Sequence, residues 1–345
     1  MPVRPGRTVP PTAPTPYRPR PTAGSAPRPR AGAVLTAALT LVLALAGCSS
    51  PPEDPLDQQR ERLEQLGVSL GIPAGFPGPA STGVPLGTKL EKSGSVTVSE
   101  DGTVLENLDI EGCVKIRADD VTIRNSRIRC ADNQRVIAID GERKNIVVED
   151  SEIDGRGSTQ IAIGWAGYTL RRVDVHDVLD GPRLGSDVVV EDSWIHDIVR
   201  QGKLHPDTMQ STGGTGIVVR RNTLVVTDRV TGDLMNSAIQ LGAENDSGVL
   251  RDVLIEDNYL DGGNYTVNIR TDDGIEDVVV RDNVFGGHAR YGQIIAGESV
   301  TIEGNSLARP GTTGSTGSTG STGFPGPTSS TEPDATSITV ERKPD

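Results

Sequence analysis

Aromatic side chains are scarce, with three Phe, five Tyr and two Trp in 345 residues. Beside 41 glycines, that scarcity disfavours a helical bundle and suits a turn-rich β protein packed by Val, Ile and Leu. No Ser-His-Asp arrangement, phosphate-binding loop or zinc-ligand spacing is present, so none of those chemistries has a sequence basis. Basic charge is short as well. The formal net charge is -13, and all six charges before Cys48 are Arg, so from Cys48 onward 34 - 6 = 28 basic residues face 47 acidic ones, a balance of -19. Such a surface repels nucleic acid and anionic lipid. It also repels an acidic polysaccharide unless a divalent cation or a local basic patch intervenes.

The apolar run from Ala33 to Ala46 falls short of the roughly 20 residues that span a bilayer and has the length of a secretory core. It follows an Arg- and Pro-rich start and ends in Leu45-Ala46-Gly47-Cys48, which resembles the bacterial lipoprotein signal. That resemblance implies that residues 1–47 are a signal peptide and that Cys48 is the lipidation site. It further implies that the mature chain is extracytoplasmic, held to the outer face of the cell membrane through that lipid alone. No adjacent Arg pair precedes the run, so the twin-arginine route has no support. Residues 48–82 read as a Pro- and Gly-rich linker in which Leu56 to Leu66 suits a short exposed helix. A folded domain is expected over 83–309. The repeated Thr-Gly-Ser of 310–345 cannot build a core, and disorder is expected there.

Within 83–309 one pattern recurs nine times: apolar, charged, charged, Ser or Asn, one variable residue, apolar. Its apolar-charged steps are Leu105-Glu106, Ile123-Arg124, Val148-Glu149, Leu170-Arg171, Val190-Glu191, Val219-Arg220, Ile255-Glu256, Val280-Arg281 and Ile302-Glu303. Their separations of 18 to 36 residues suit a β-solenoid with loop insertions. The sign of the charged position alternates through all nine, as a parallel stack with strands about 4.8 Å apart would favour. Two positions on lies a polar column, Ser126, Ser151, Val173, Ser193, Asn222, Asn258, Asn283 and Asn305, suited to bonding the backbone of neighbouring rungs.

A second strand is expected in each repeat, among them Cys113 to Arg117, Gly181 to Leu184, Asp207 to Ser211, Ala238 to Leu241 and Val267 to Arg270. Aligning Ile128 over Ile110 sets Cys130 beside Cys113, which makes a disulfide between them reasonable in an oxidising compartment. The runs Ile110-Glu111-Gly112-Cys113-Val114-Lys115-Ile116, Tyr168-Thr169-Leu170-Arg171-Arg172-Val173 and Val253-Leu254-Ile255-Glu256-Asp257-Asn258 resemble secreted right-handed parallel β-helix proteins of actinobacteria, in the pectin-lyase-like superfamily. The fold expected is therefore all-β, a right-handed parallel β-helix, a single-stranded β-solenoid of about nine coils. The superfamily contains lyases, hydrolases, epimerases and proteins with no assigned reaction, so the resemblance speaks to fold more than to chemistry.

Candidate chemistry lies mid-stack. Asp180-Gly181-Pro182-Arg183 and Asp207-Thr208-Met209-Gln210 align, which sets Asp180 and Asp207 on adjacent rungs, where like charge should raise one pKa and give an acid beside a base. His205, two residues before Asp207, belongs to a His-Pro-Asp-Thr-Met-Gln segment that resembles the His-x-Asp-Gly-x-Gln stretch of those relatives, with Thr208 in place of Gly. Asp180, Asp207 and His205 are the catalytic candidates. Arg183, Lys203, Gln210, Gln240, Asn268 and Arg270 are the substrate-binding candidates, because amides and guanidinium groups in a groove suit sugar hydroxyls and carboxylates. The repeated His176-Asp177 and His196-Asp197 read as a stacked structural pair. The acidic loops Ala243-Glu244-Asn245-Asp246 and Thr271-Asp272-Asp273-Gly274 are where Ca2+ would bind, although neither has a known loop spacing. The function expected is cleavage of a polysaccharide by a surface-anchored lyase or glycoside hydrolase; the alternative is a non-catalytic module binding glycan or cell-wall polymer. A monomer with no nucleic-acid partner is expected.

Overall fold

A computed structural model describes residues 54–228, 231–242, 248–271, 274–308 and 337–344. The expected signal peptide (residues 1–47), Cys48, the loop 243–247, Asp272, Asp273 and the Thr-Gly-Ser repeats lie outside the described residues. Regular structure among the described residues is one helix, Pro55–Ser69, and otherwise strand, in a thirteen-stranded, a nine-stranded and a five-stranded sheet. Every strand pair is parallel, which is compatible with a β-solenoid.

The nine-stranded sheet takes one strand from each rung of the repeat, and its registers pair each charge with its counterpart. Glu106 lies beside Arg124, Arg171 beside Glu149 and Glu191, Glu191 beside Arg220, and Arg281 beside Glu256 and Glu303. Ion pairs follow at 3.0 Å for Arg124–Glu106 and 2.7 Å for both Arg171–Glu191 and Arg281–Glu256. Most of these pairs are half-buried at the surface and fix register more than stability, at roughly 0.2–1 kcal/mol each. Glu191 is the exception, since it is 4% exposed and also bonds Arg220 and Arg221. Burial alone would raise its pKa, but the bonded Arg171 and Arg220 guanidiniums bring it down to about 2.

The polar column forms the bend between this sheet and the thirteen-stranded one. Ser126 N–H donates to Ser151 Oγ at 3.1 Å, and Ser193, Asn222, Asn258 and Asn283 N–H groups each donate to the next Asn Oδ1 at 2.9–3.0 Å. Every rung from Gly102–Asn107 to Asp277–Asp282 is also bracketed by two positive-φ residues five apart. Asn, Asp and Gly tolerate that conformation, which explains most of the second charged column. Arg172 and Arg221 are the costly occupants, and each is held by two hydrogen bonds to the Asp one rung before it, Asp150 and Asp192. Val190, Ile195 and Met209, one from each sheet, belong to a single buried apolar cluster, so the three sheets face one interior.

Three findings differ from the sequence reading. The stretch Gly181 to Leu184 is no strand but a lone bridge, Arg183 to Gln210, because Pro182 has no N–H to donate. Contacts cross the compositional boundary at residue 82. The Phe76 ring lies 5.8 Å from that of Tyr259, and Leu70 and Ile72 wall a cavity with Trp194. Finally, the end of the tail is ordered, for Val340–Lys343 pairs with Gly292–Gly297. Alternation of Ile338 and Val340 supplies the apolar side that packs on the core.

Candidate functional site

The strand Asp207–Ser211 points alternate residues to opposite sides. Asp207, Met209 and Ser211 are buried at 0–1% exposure, while Gln210 is half-buried on the outer face. Its register continues through Gln240 on Ser237–Leu241 and Asn268 on Tyr265–Ile269, and Arg183 meets Gln210 on the other side. Four polar candidates, Arg183, Gln210, Gln240 and Asn268, therefore form one row across neighbouring strands.

Arg183 is the best-anchored member. Its backbone carbonyl accepts from the Tyr168 hydroxyl at 2.6 Å and its guanidinium donates to Asp180 at 2.5 Å. A side chain at Gly164 would come within 3.0 Å of Arg183 Cβ, so the glycine leaves room for the arginine to lie close. The same guanidinium sits 5.4 Å from the centre of the Trp165 ring, and that of Arg135 sits 4.9 Å from it. Trp165 is 42% exposed. Neither Trp165 nor Arg135 stood out in the sequence reading; the one available signal was a Trp in a chain with only two, directly after a strand.

Asp180 and Asp207 are adjacent, as the alignment expected, but both carboxyls are turned inward at 6% and 1% residue exposure. Asp180 accepts the Asp207 backbone N–H at 3.0 Å as well as Arg183, and Asp207 accepts the Asn236 amide at 2.8 Å. Each carboxyl thus sits at a bend and bonds the following rung, as the Asn column does on the other side of the stack. Burial, and then the Asp180 charge, push the Asp207 carboxyl well above the usual carboxylate range against the Asn236 bond. Burial also raises Asp180, opposed by Arg183. His205 and Lys203 are exposed in the loop ahead of this strand. Arg270 follows its strand, lies over Gly242 and donates to the Gly248 carbonyl, which sets it beyond the row.

The outer face of the thirteen-stranded sheet is more heavily charged. His176 and His196 are stacked at 5.4 Å, and Trp194 covers His196 at 3.5 Å. Burial opposes the charge on His176, but bonds to Asp177 and Glu152 carry its pKa up to about 11. His196 is likewise raised against burial by Asp174 and Asp197, each 2.9 Å away. Asp154, His176 and Asp177 come near enough to share a cation, but an imidazolium is no ligand, and Asp154 already bonds the Arg156 backbone at 2.7 Å. The arrangement is an ion-pair network among the described residues. No family model, no curated protein and no solved structure matches this chain.

Proposed function

We propose that the chain is a glycan-binding module, a right-handed parallel β-helix of about nine coils akin to the pectin-lyase-like superfamily. In this reading it is a monomer held outside the cytoplasm by a lipid on Cys48 and binds a polysaccharide along the five-stranded face. What carries the reading is the in-register row Arg183, Gln210, Gln240 and Asn268 next to the exposed Trp165. A sugar chain needs an aromatic surface for its C–H faces and amide or guanidinium groups for its hydroxyls, repeated at a spacing that a parallel sheet supplies. Arg135 beside Trp165 gives this face local positive charge on an acidic molecule, while Arg183 is paired with Asp180, so a polymer bearing carboxylates is less repelled there.

Cleavage is the second reading, favoured by the raised pKa of Asp207 beside Asp180. Against it stand the burial of both carboxyls and their bonds to Asp207 N–H, Arg183 and Asn236. A panel of neutral and uronic polysaccharides separates the two. Affinity electrophoresis of the Cys48→Ser chain is expected to show retardation by one polymer that Trp165→Ala and Gln210→Ala with Gln240→Ala each weaken at least tenfold. Neither new reducing ends nor unsaturated uronates should appear. Turnover that disappears in Asp207→Asn would establish the enzyme instead, with His205 and Calcium dependence then open to the same assay.

A further inference from the structure

A cavity of about 380 Å³ lies on the other flank of the stack, where Leu70 and Ile72 meet the outer face of the thirteen-stranded sheet and the segment containing Leu234. Its polar wall includes His196, Asp197, Asp261 and His288. Asp261 is a fixed acceptor, taking the backbone N–H groups of Gly262 and His288 at 3.0 and 3.1 Å and holding His288 Nδ1 at 2.7 Å. The Asp261 carboxylate fixes the ring through Nδ1, which leaves Nε2 without that bond and available to a ligand. The His288 side chain is 71% exposed, so this nitrogen is open to a ligand.

The Trp194 wall provides a second, independent pointer. Trp194 is 6% exposed, and its Nε1 is buried with no hydrogen-bond partner among the described residues. Its strand neighbour Thr223 is fully buried, and Thr223 Oγ1 is in the same condition. Buried polar atoms are seldom left unpaired, because each costs about 1–3 kcal/mol. Trp194 itself lines the cavity, so a polar group bound there would complete its Nε1.

We propose that this cavity binds one neutral sugar residue or a polyol of that size. The volume is at the small end of ligand pockets. The carboxylates of Asp197 and Asp261 disfavour an anion. Sugar hydroxyls both donate and accept, so they can accept from Trp194 Nε1 and pair with His288 Nε2, whereas an ammonium group only donates and a carboxylate only accepts. Leu70, Ile72 and Leu234 offer an apolar wall to the C–H face of such a ring. The site is separate from the five-stranded face and does not depend on the function proposed for it.

Titration of the Cys48→Ser chain with glucose, galactose, mannose and N-acetylglucosamine, read by ligand-observed NMR and calorimetry, tests the proposal, with glucuronate as the anionic control. At least one neutral sugar is expected to bind better than glucuronate. Its affinity should fall about tenfold in Trp194→Phe and in His288→Ala, the worth of one hydrogen bond to a buried or charged partner, and stay unchanged in Trp165→Ala. His288 is exposed, so His288→Ala decides the matter if Trp194→Phe fails to fold. No binding of any neutral sugar, binding indifferent to His288→Ala, or binding lost in Trp165→Ala would each overturn the proposal.

Discussion

At the scale of single residues, Asp207 carries the sharpest consequence. The folded state holds its carboxyl pKa well above the ordinary value of 3.8, by burial and by Asp180. The native chain therefore retains a proton that the unfolded chain gives up once the pH passes about 4. Because the native state then binds more protons, stability falls as pH rises from that point through the folded pKa. Asp207→Asn removes the titration while leaving a carbonyl oxygen to accept from Asn236. Urea midpoints of the two proteins should coincide near pH 3 and separate toward pH 7 in favour of the variant. The gap should be about 1.4 kcal/mol for each unit by which the folded pKa is raised. A variant less stable than the parent at pH 7 would mean that Asp207 is ionised in the native state, which would remove the protonated acid on which the cleavage reading of this site rests.

At the scale of elements, the rung was legible because each of its positions recurs in one environment. The apolar steps face the interior, the first charge meets its opposite, and Asn or Ser, in every rung of that column but the one with Val173, sits where a neighbour's N–H needs an acceptor. The second charged column carries a requirement that its residue types do not announce. Asp150, Asp192, Asp257 and Asp282 look like surface charge in the sequence, but they occupy positive-φ bends, and Arg172 and Arg221 hide the same requirement behind an unlikely residue. The outer row of the five-stranded sheet was legible from the Asp180–Asp207 alignment. The inward aim of those carboxyls was overlooked, although Asp207 shares its parity with the core residue Met209. The ladder itself predicts a graded loss. Asn258 accepts from Asn222 N–H and Nδ2 and donates to the Val219 carbonyl and Asn283 Oδ1. Asn258→Ala strands a buried N–H and is expected to cost about 2–4 kcal/mol by urea denaturation. Asn258→Ser should cost less, since Ser151 and Ser193 already serve as acceptors in that column. Equal losses in the two would mean that packing and not the hydrogen bond holds the position.

At the scale of the whole molecule, a parallel stack has an edge wherever its sheets stop, and an open edge recruits further strands. The edge of the five-stranded sheet at Gly292–Gly297 is covered by Val340–Lys343, which brings a run of Glu341, Arg342 and Lys343 to that position. Tyr265 and Glu341 bond across it, and Arg342 donates to the Gly297 carbonyl and, at 2.9 Å, to that of Val300. The sequence hid this strand because it is four residues long and follows a low-complexity tract, so composition outweighed the alternation of Ile338 and Val340. Removing residues 337–345 would uncover the N–H and C=O groups of Gly292–Gly297 and the apolar surface that Ile338 and Val340 cover. The truncated chain is expected to unfold at lower temperature, by about 2–4 °C for each kcal/mol lost, and to self-associate with rising concentration while the full chain does not. Calorimetry and light scattering over a hundredfold concentration range check both. Val340→Pro in the full chain isolates the cause. It disrupts pairing without shortening the chain, and it should reproduce the association if the strand acts by covering the edge. An associating truncation beside a monodisperse Val340→Pro would assign the effect to the lost length of chain instead.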